Sequence, residues 1–204
     1  MSNIRLAEAA APSTPSTGKV VVYAKTDGLL YGKDDTGTET QLSNSSVTIN
    51  IKTPATTTSG TYVDIQSIPS GTKYIVFSMY GVSTSGTSNL LVQIGDSGGI
   101  ETTGYTTNIC AYNGTGLTNT TNGWNMHLGV VAAGAYYGSL AISLVDSSTN
   151  SWCGFGQTNN NNSTYMCHCN GGKDLSSELT QIRLTTAGGS DTFDAGKINI
   201  LYMG

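Results

Sequence analysis

Apolar residues in several segments of this chain fall at alternate positions, and no stretch carries the three-to-four-residue spacing of a long amphipathic helix. Val47, Ile49 and Ile51 alternate with polar neighbours, and Ile198, Ile200 and Tyr202 likewise recur at every second position. That period of two sets one side of a strand against a core and leaves the other polar. Lys19 to Lys25, the tight turn Thr26-Asp27-Gly28 and the run up to Lys33 read as a β-hairpin. A second turn, Asp34 to Gly37, leads into Thr38 to Leu42, so residues 19–43 predict a small β-meander, too short to bury a core alone. Before it, Pro12 and Pro15 block helix, and residues 1–18 predict an extended arm.

From residue 44 to 204, short β-type runs recur between turn residues. They are Val47 to Lys52, Tyr62 to Ile68, Lys73 to Tyr80, Leu90 to Ile94, Asn108 to Tyr112 and Met126 to Val131. Tyr136 to Val145, Trp152 to Phe155, Thr164 to His168, Leu179 to Thr185 and Lys197 to Tyr202 follow. The Asn-rich Thr158 to Ser163 reads as a hairpin loop between two of them. Many short half-buried strands predict an all-β domain, an antiparallel β-sandwich of jelly-roll-like type, over residues 44–204.

Composition narrows the function. Charged residues make up 11% of the 204, and the net charge is −4, which supplies no basic stripe to neutralise phosphates. Nucleic acid and anionic membranes are therefore not expected partners. No apolar run reaches the ~20 residues of a membrane span, and Met1 to Ala11 hold no signal-peptide core, so synthesis in a cytosol is expected. Eleven Tyr, with many Val and Ile, argue for a folded chain in spite of the Ser/Thr/Asn/Gly bias.

Candidate chemistry is sparse. Gly95-Asp96-Ser97-Gly98-Gly99 matches the string around a serine nucleophile, but His127 and His168, the only histidines, both follow Ser97, and the glycines after it cannot open a helix. A glycine-rich turn is the expectation, with no catalytic residue. In Cys167-His168-Cys169 a strand would turn the two thiols to one face and the imidazole to the other, so no metal and no cofactor are expected there. Cys110, Cys153, Cys167 and Cys169 are disulfide candidates whose connectivity the sequence leaves open, within or between subunits. Trp124, with Asn159, Asn160 and Asn161, forms the candidate glycan contact, since a flat ring and paired amides suit a sugar.

The segment from Gly18-Lys19-Val-Val-Val-Tyr-Ala-Lys-Thr-Asp-Gly-Leu-Leu-Tyr to Lys33-Asp34-Asp35-Thr-Gly-Thr-Glu-Thr-Gln-Leu42 resembles a stretch near the N-termini of tailed-bacteriophage fibre and other virion proteins. Gly81 to Leu91, Ile94 to Tyr105 and Asp191 to Tyr202 are similar to segments of tail-fibre-like proteins. The resemblance implies a virion component, commonly a homotrimer, contacting other capsid or tail proteins. On that footing the arm attaches to the particle through Ile4, Leu6, Pro12 and Pro15. The meander trimerises through Val20, Val22, Leu30 and Tyr31. The expected function is a capsid-decoration, head-fibre or short tail-fibre protein; the alternative is a receptor-binding tip for bacterial surface polysaccharide. The chain is shorter than a fibre with an extended shaft.

Overall fold

A computed structural model of the protein describes residues 5–42, 48–112, 117–161 and 165–204. All regular structure among them is β, and the chain divides into two units, Met1–Val47 and Thr48–Gly204.

The first unit holds β1 (Glu8–Ala9), β2 (Val21–Lys25), β3 (Leu30–Lys33) and β4 (Glu39–Gln41) in that spatial order. β2 and β3 are the expected hairpin: Asp27 Oδ1 accepts the Leu29 N–H at 3.0 Å, and Gly28 takes φ +80°, a left-handed conformation that a Cβ would disfavour. The arm is not free. β1 runs parallel to β2, and Lys33 Nζ donates to the Pro12 carbonyl at 3.0 Å, so residues from Glu8 onward fold back along the meander.

The second unit continues with β5 (Ile49–Ile51), β6 (Ala55–Thr56), β7 (Tyr62–Ile65), β8 (Tyr74–Thr84) and β9 (Leu90–Asp96). β10 (Gly99–Ile100), β11 (Tyr105–Ala111), β12 (Leu117–Thr120) and β13 (Trp124–Asn125) follow. The last are β14 (Tyr136–Asp146), β15 (Ser151–Asn160), β16 (Cys167–Asp174), β17 (Gln181–Thr186) and β18 (Phe193–Met203). They form two antiparallel sheets. One runs β10-β9-β17-β7 with β13 beside β9, and the other runs β12-β11-β16-β15-β14-β8-β18-β5 with β6 beside β18.

One apolar core draws on both sheets: Leu90, Val92 and Ile94 come from the smaller, and Ile75, Phe77 and Leu140 from the larger. Trp124 is fully buried in it, edge-on to Tyr105 at 5.3 Å. It fits because Gly154 faces it, where a Cβ would stand 3.1 Å from the indole. Ile198 and Ile200 are buried as their alternation predicts.

Several expectations need correction. Ile49 and Ile51 do not enter the core: they are 63% and 72% exposed, because β5 is an edge strand whose pairing with Met203 and Leu201 turns them outward. Val47 lies outside the described residues. Met126 to Val131 form no strand, whereas β15 extends to Asn160 and takes in part of the expected Asn-rich loop.

Candidate binding face

β15 alternates without interruption: Trp152, Gly154, Gly156 and Thr158 are buried, while Cys153, Phe155, Gln157 and Asn159 point out of the larger sheet. Cross-strand register extends that outward set across neighbouring strands. Ile51, Leu201, Val76, Ala141 and Phe155 are successive partners on β5, β18, β8, β14 and β15, forming an apolar stripe across five strands. It continues into three amides, Asn170, Asn108 and Asn119.

One row along, Asn199, Ser78, Ser139, Gln157, His168 and Cys110 stand side by side. On the other flank lie Met203, Tyr74, Ser143 and Cys153. No charged side chain occurs in the three rows. The first met beyond the polar row is Lys197, whose ammonium sits 5.6 Å from the Tyr80 ring centre. Tyr80 meets Tyr137 edge-on at 5.2 Å.

Two shallow hollows share Gln157. One, about 240 Å³, is bordered by Phe155, Ser139 and His168, and the other, about 270 Å³, by Tyr137, Asn159 and Met166. Phe155 is 68% exposed. His168 packs edge-on against Tyr112 at 5.1 Å. Exposed amides, hydroxyls and rings without charge can hold an uncharged polar or flat apolar partner.

The predicted site residues are scattered by comparison. Trp124 is fully buried and offers no ring to a ligand, because Gly154 opposite it leaves room for the indole inside the core. Asn159 faces the second hollow, Asn160 is buried, and the Asn161 side chain accepts from the Ala135 N–H at 3.0 Å. Leu6 is 50% exposed, Pro12 and Pro15 are half-buried, and Ile4 lies outside the described residues. In the meander Val22 pairs with Gly32 and Ala24 with Leu30, so Val20, Val22 and Leu30 share an open aliphatic face with Leu42. Tyr31 pairs with Tyr23 and lies on the opposite face, with Lys25 Nζ 4.7 Å from its ring centre.

All four thiols are unpaired. Cys167 and Cys169 point into the core, while Cys110 and Cys153 lie on the outer face, so the sheet itself separates the pairs. Between Cys110 and Cys153 stand two strand spacings and four residues, an offset of about 16 Å, against the ~7 Å limit for bridged Cα atoms. Burial pushes the Cys169 thiol up to about 12. Sulfur from Met126 lies 3.8 Å from it.

Gly95 to Gly99 form the tight turn from β9 into β10, with Asp96 Oδ1 accepting the Gly98 N–H at 2.7 Å. Both histidines are engaged elsewhere, His127 with Thr158 and His168 with Tyr112. Asp96 and Glu101 both take the Ser176 hydroxyl as partner, at 2.7 and 2.8 Å, and Glu101 pairs with the buried Lys173. The Ser176 bond, with that from Gly98, holds the Asp96 carboxyl below its ordinary value. This cluster is closed on itself.

The outer face was missed in sequence because it is assembled by register. Its one local signal is Gly154-Phe155-Gly156, a large ring between two residues without side chains. The chain matches no protein-family model, no curated protein and no solved structure.

Proposed function

We propose that this chain is a non-catalytic structural component of a bacteriophage particle, of capsid-decoration, head-fibre or short tail-fibre type, acting by assembly and surface binding. The carrying observation is the broad outer face of the larger sheet, uncharged over three rows and rich in amides, hydroxyls and exposed apolar side chains. The resemblance of residues 18–42 to virion proteins adds the setting. In this reading the two sheets of the second unit form a jelly-roll-like sandwich. The first unit attaches to other virion proteins through Leu6, Pro12 and Pro15 and trimerises through the aliphatic face of Val20, Val22, Leu30 and Leu42. Self-saturation of the Asp96, Glu101, Ser176 and Lys173 cluster supports a role without turnover.

A second reading, a receptor-binding tip for bacterial surface polysaccharide, is favoured by the two hollows around Gln157, where Phe155 and Tyr137 offer rings and Asn159 an amide. Reconstruction of purified phage particles tests the first: density for this chain on the capsid or tail is expected, and its absence from the particles overturns the reading. Blocking of phage adsorption by the isolated protein would carry the second, and unaltered adsorption at saturating protein would dismiss it.

A further inference from the structure

We infer that the outer face of the larger sheet is covered by a second copy of this chain. The stripe of Ile51, Leu201, Val76, Ala141 and Phe155 spans four strand spacings, about 19 Å, and its two ends, Ile51 and Phe155, are 72% and 68% exposed. Beside Ile51 on the same edge strand stands Ile49, 63% exposed. A solvated sheet face ordinarily carries polar side chains here, and a contiguous aliphatic row marks a surface that packs against something.

Extent and charge decide the occupant. Eight strands on the sheet path give about 34 Å of width, and three rows about 20 Å of depth, so the flat area is close to 700 Å². A standard stable interface takes about 800 Å² from each partner. Contacts with unrelated proteins are commonly oriented by matched opposite charges, and this face offers none of either sign to match. Its own image therefore meets no like-charge repulsion, and aliphatic row can lie on aliphatic row with the flanking amides and hydroxyls bonding across the rim. The first unit leaves an open face of the same chemistry at Val20, Val22 and Leu42, so every copy brings two surfaces of this kind. The inference goes beyond the particle reading, since it holds for the chain in solution and places an interface outside the meander.

Sedimentation equilibrium of the full chain at micromolar concentration tests it. The wild type should associate, and the double variant Val76→Glu/Leu201→Glu should weaken association at least about a hundredfold by burying carboxylates against carboxylates. Its urea midpoint and tryptophan emission report whether it folds. Mixing it in equal amounts with Val76→Lys/Leu201→Lys should restore association, which an unfolded variant could not do. Val22→Glu should leave association through the sheet intact. A wild type that stays monomeric throughout, or a Glu variant that associates as before, overturns the inference. Association lost with Val22→Glu alone overturns it too, while leaving the particle reading standing.

Discussion

His127 should make the second unit acid-sensitive above the range in which its carboxylates titrate. The ring is fully buried, edge-on to Tyr136 at 4.8 Å and stacked on Tyr165 at 5.6 Å. Its Nδ1 lies 3.0 Å from Thr158 Oγ1, and that hydroxyl donates its own proton to the Met126 carbonyl. Nδ1 must therefore carry the hydrogen and donate to Thr158, which leaves Nε2 as a bare lone pair with no protein partner. Protonation would place a charged N–H at Nε2 with nothing to accept it. Burial accordingly lowers the group from 6.5 to about 4. Between those values the unfolded chain holds the proton and the folded chain does not, so stability is full above pH 6.5 and falls as pH drops towards 4. The gap of about two and a half pH units, at about 1.4 kcal/mol each, amounts to roughly 3 kcal/mol. Urea unfolding followed by emission of Trp124 and Trp152, both buried in the second unit, measures this directly. Most of the loss should appear between pH 6.5 and 4.5, and His127→Asn should flatten it although the variant starts less stable. His168→Asn, on the outer face, should keep the slope. A wild-type midpoint constant from pH 7 to 5, or an unchanged slope in His127→Asn, refutes the reasoning.

Three further outcomes follow from particular contacts. Arg183 grips Asp64 with two bonds of 2.7 and 2.8 Å and lies 3.9 Å over the Tyr62 ring, so Arg183→Ala should cost about 1–2 kcal/mol in urea unfolding, with Arg183→Lys recovering only part. Gly196 sits at a register shift in β18 with φ +95°, and a Cβ there would stand 2.4 Å from the Gly81 carbonyl oxygen; Gly196→Ala should lower the thermal midpoint by the equivalent of at least about 2 kcal/mol. Titration with a chromogenic disulfide at neutral pH should find Cys153 fast and Cys110 slower, with Cys167 and Cys169 silent until urea unfolds the second unit, because burial raises both buried thiols.

What the sequence disclosed was local. The Asp27-Gly28 turn, the period of two in Ile198 to Tyr202, and the opposite facing of Cys167 and His168 each depend on residues a few positions apart, and each stands in the structure. Strand edges were harder: Tyr165 and Met166 of the expected Thr164 to His168 run precede β16, which begins at Cys167, with Thr164 itself outside the described residues, and the strand at Leu117–Thr120 went unseen because its residues are mostly polar and exposed. Distant partners stayed out of reach. Nothing near Trp124 announces that Gly154, thirty residues on, will make room for it. Ile51 reads as a core residue until its neighbour is known to be Leu201 on the outward side. The binding face has this origin throughout, so its residues look unremarkable in a linear reading.

The position of β18 constrains how the molecule can be made. Residues 193–203 lie between β8 and β5, strands that a ribosome releases more than a hundred residues earlier, and β17 is likewise flanked by the much earlier β7 and β9. Neither sheet can close before its late segments emerge, and until then the earlier strands keep open edges. Folding dominated by such distant closures is slow, in the millisecond-to-second range. A stop codon before Phe193 should therefore yield an aggregating fragment instead of a shortened but native domain.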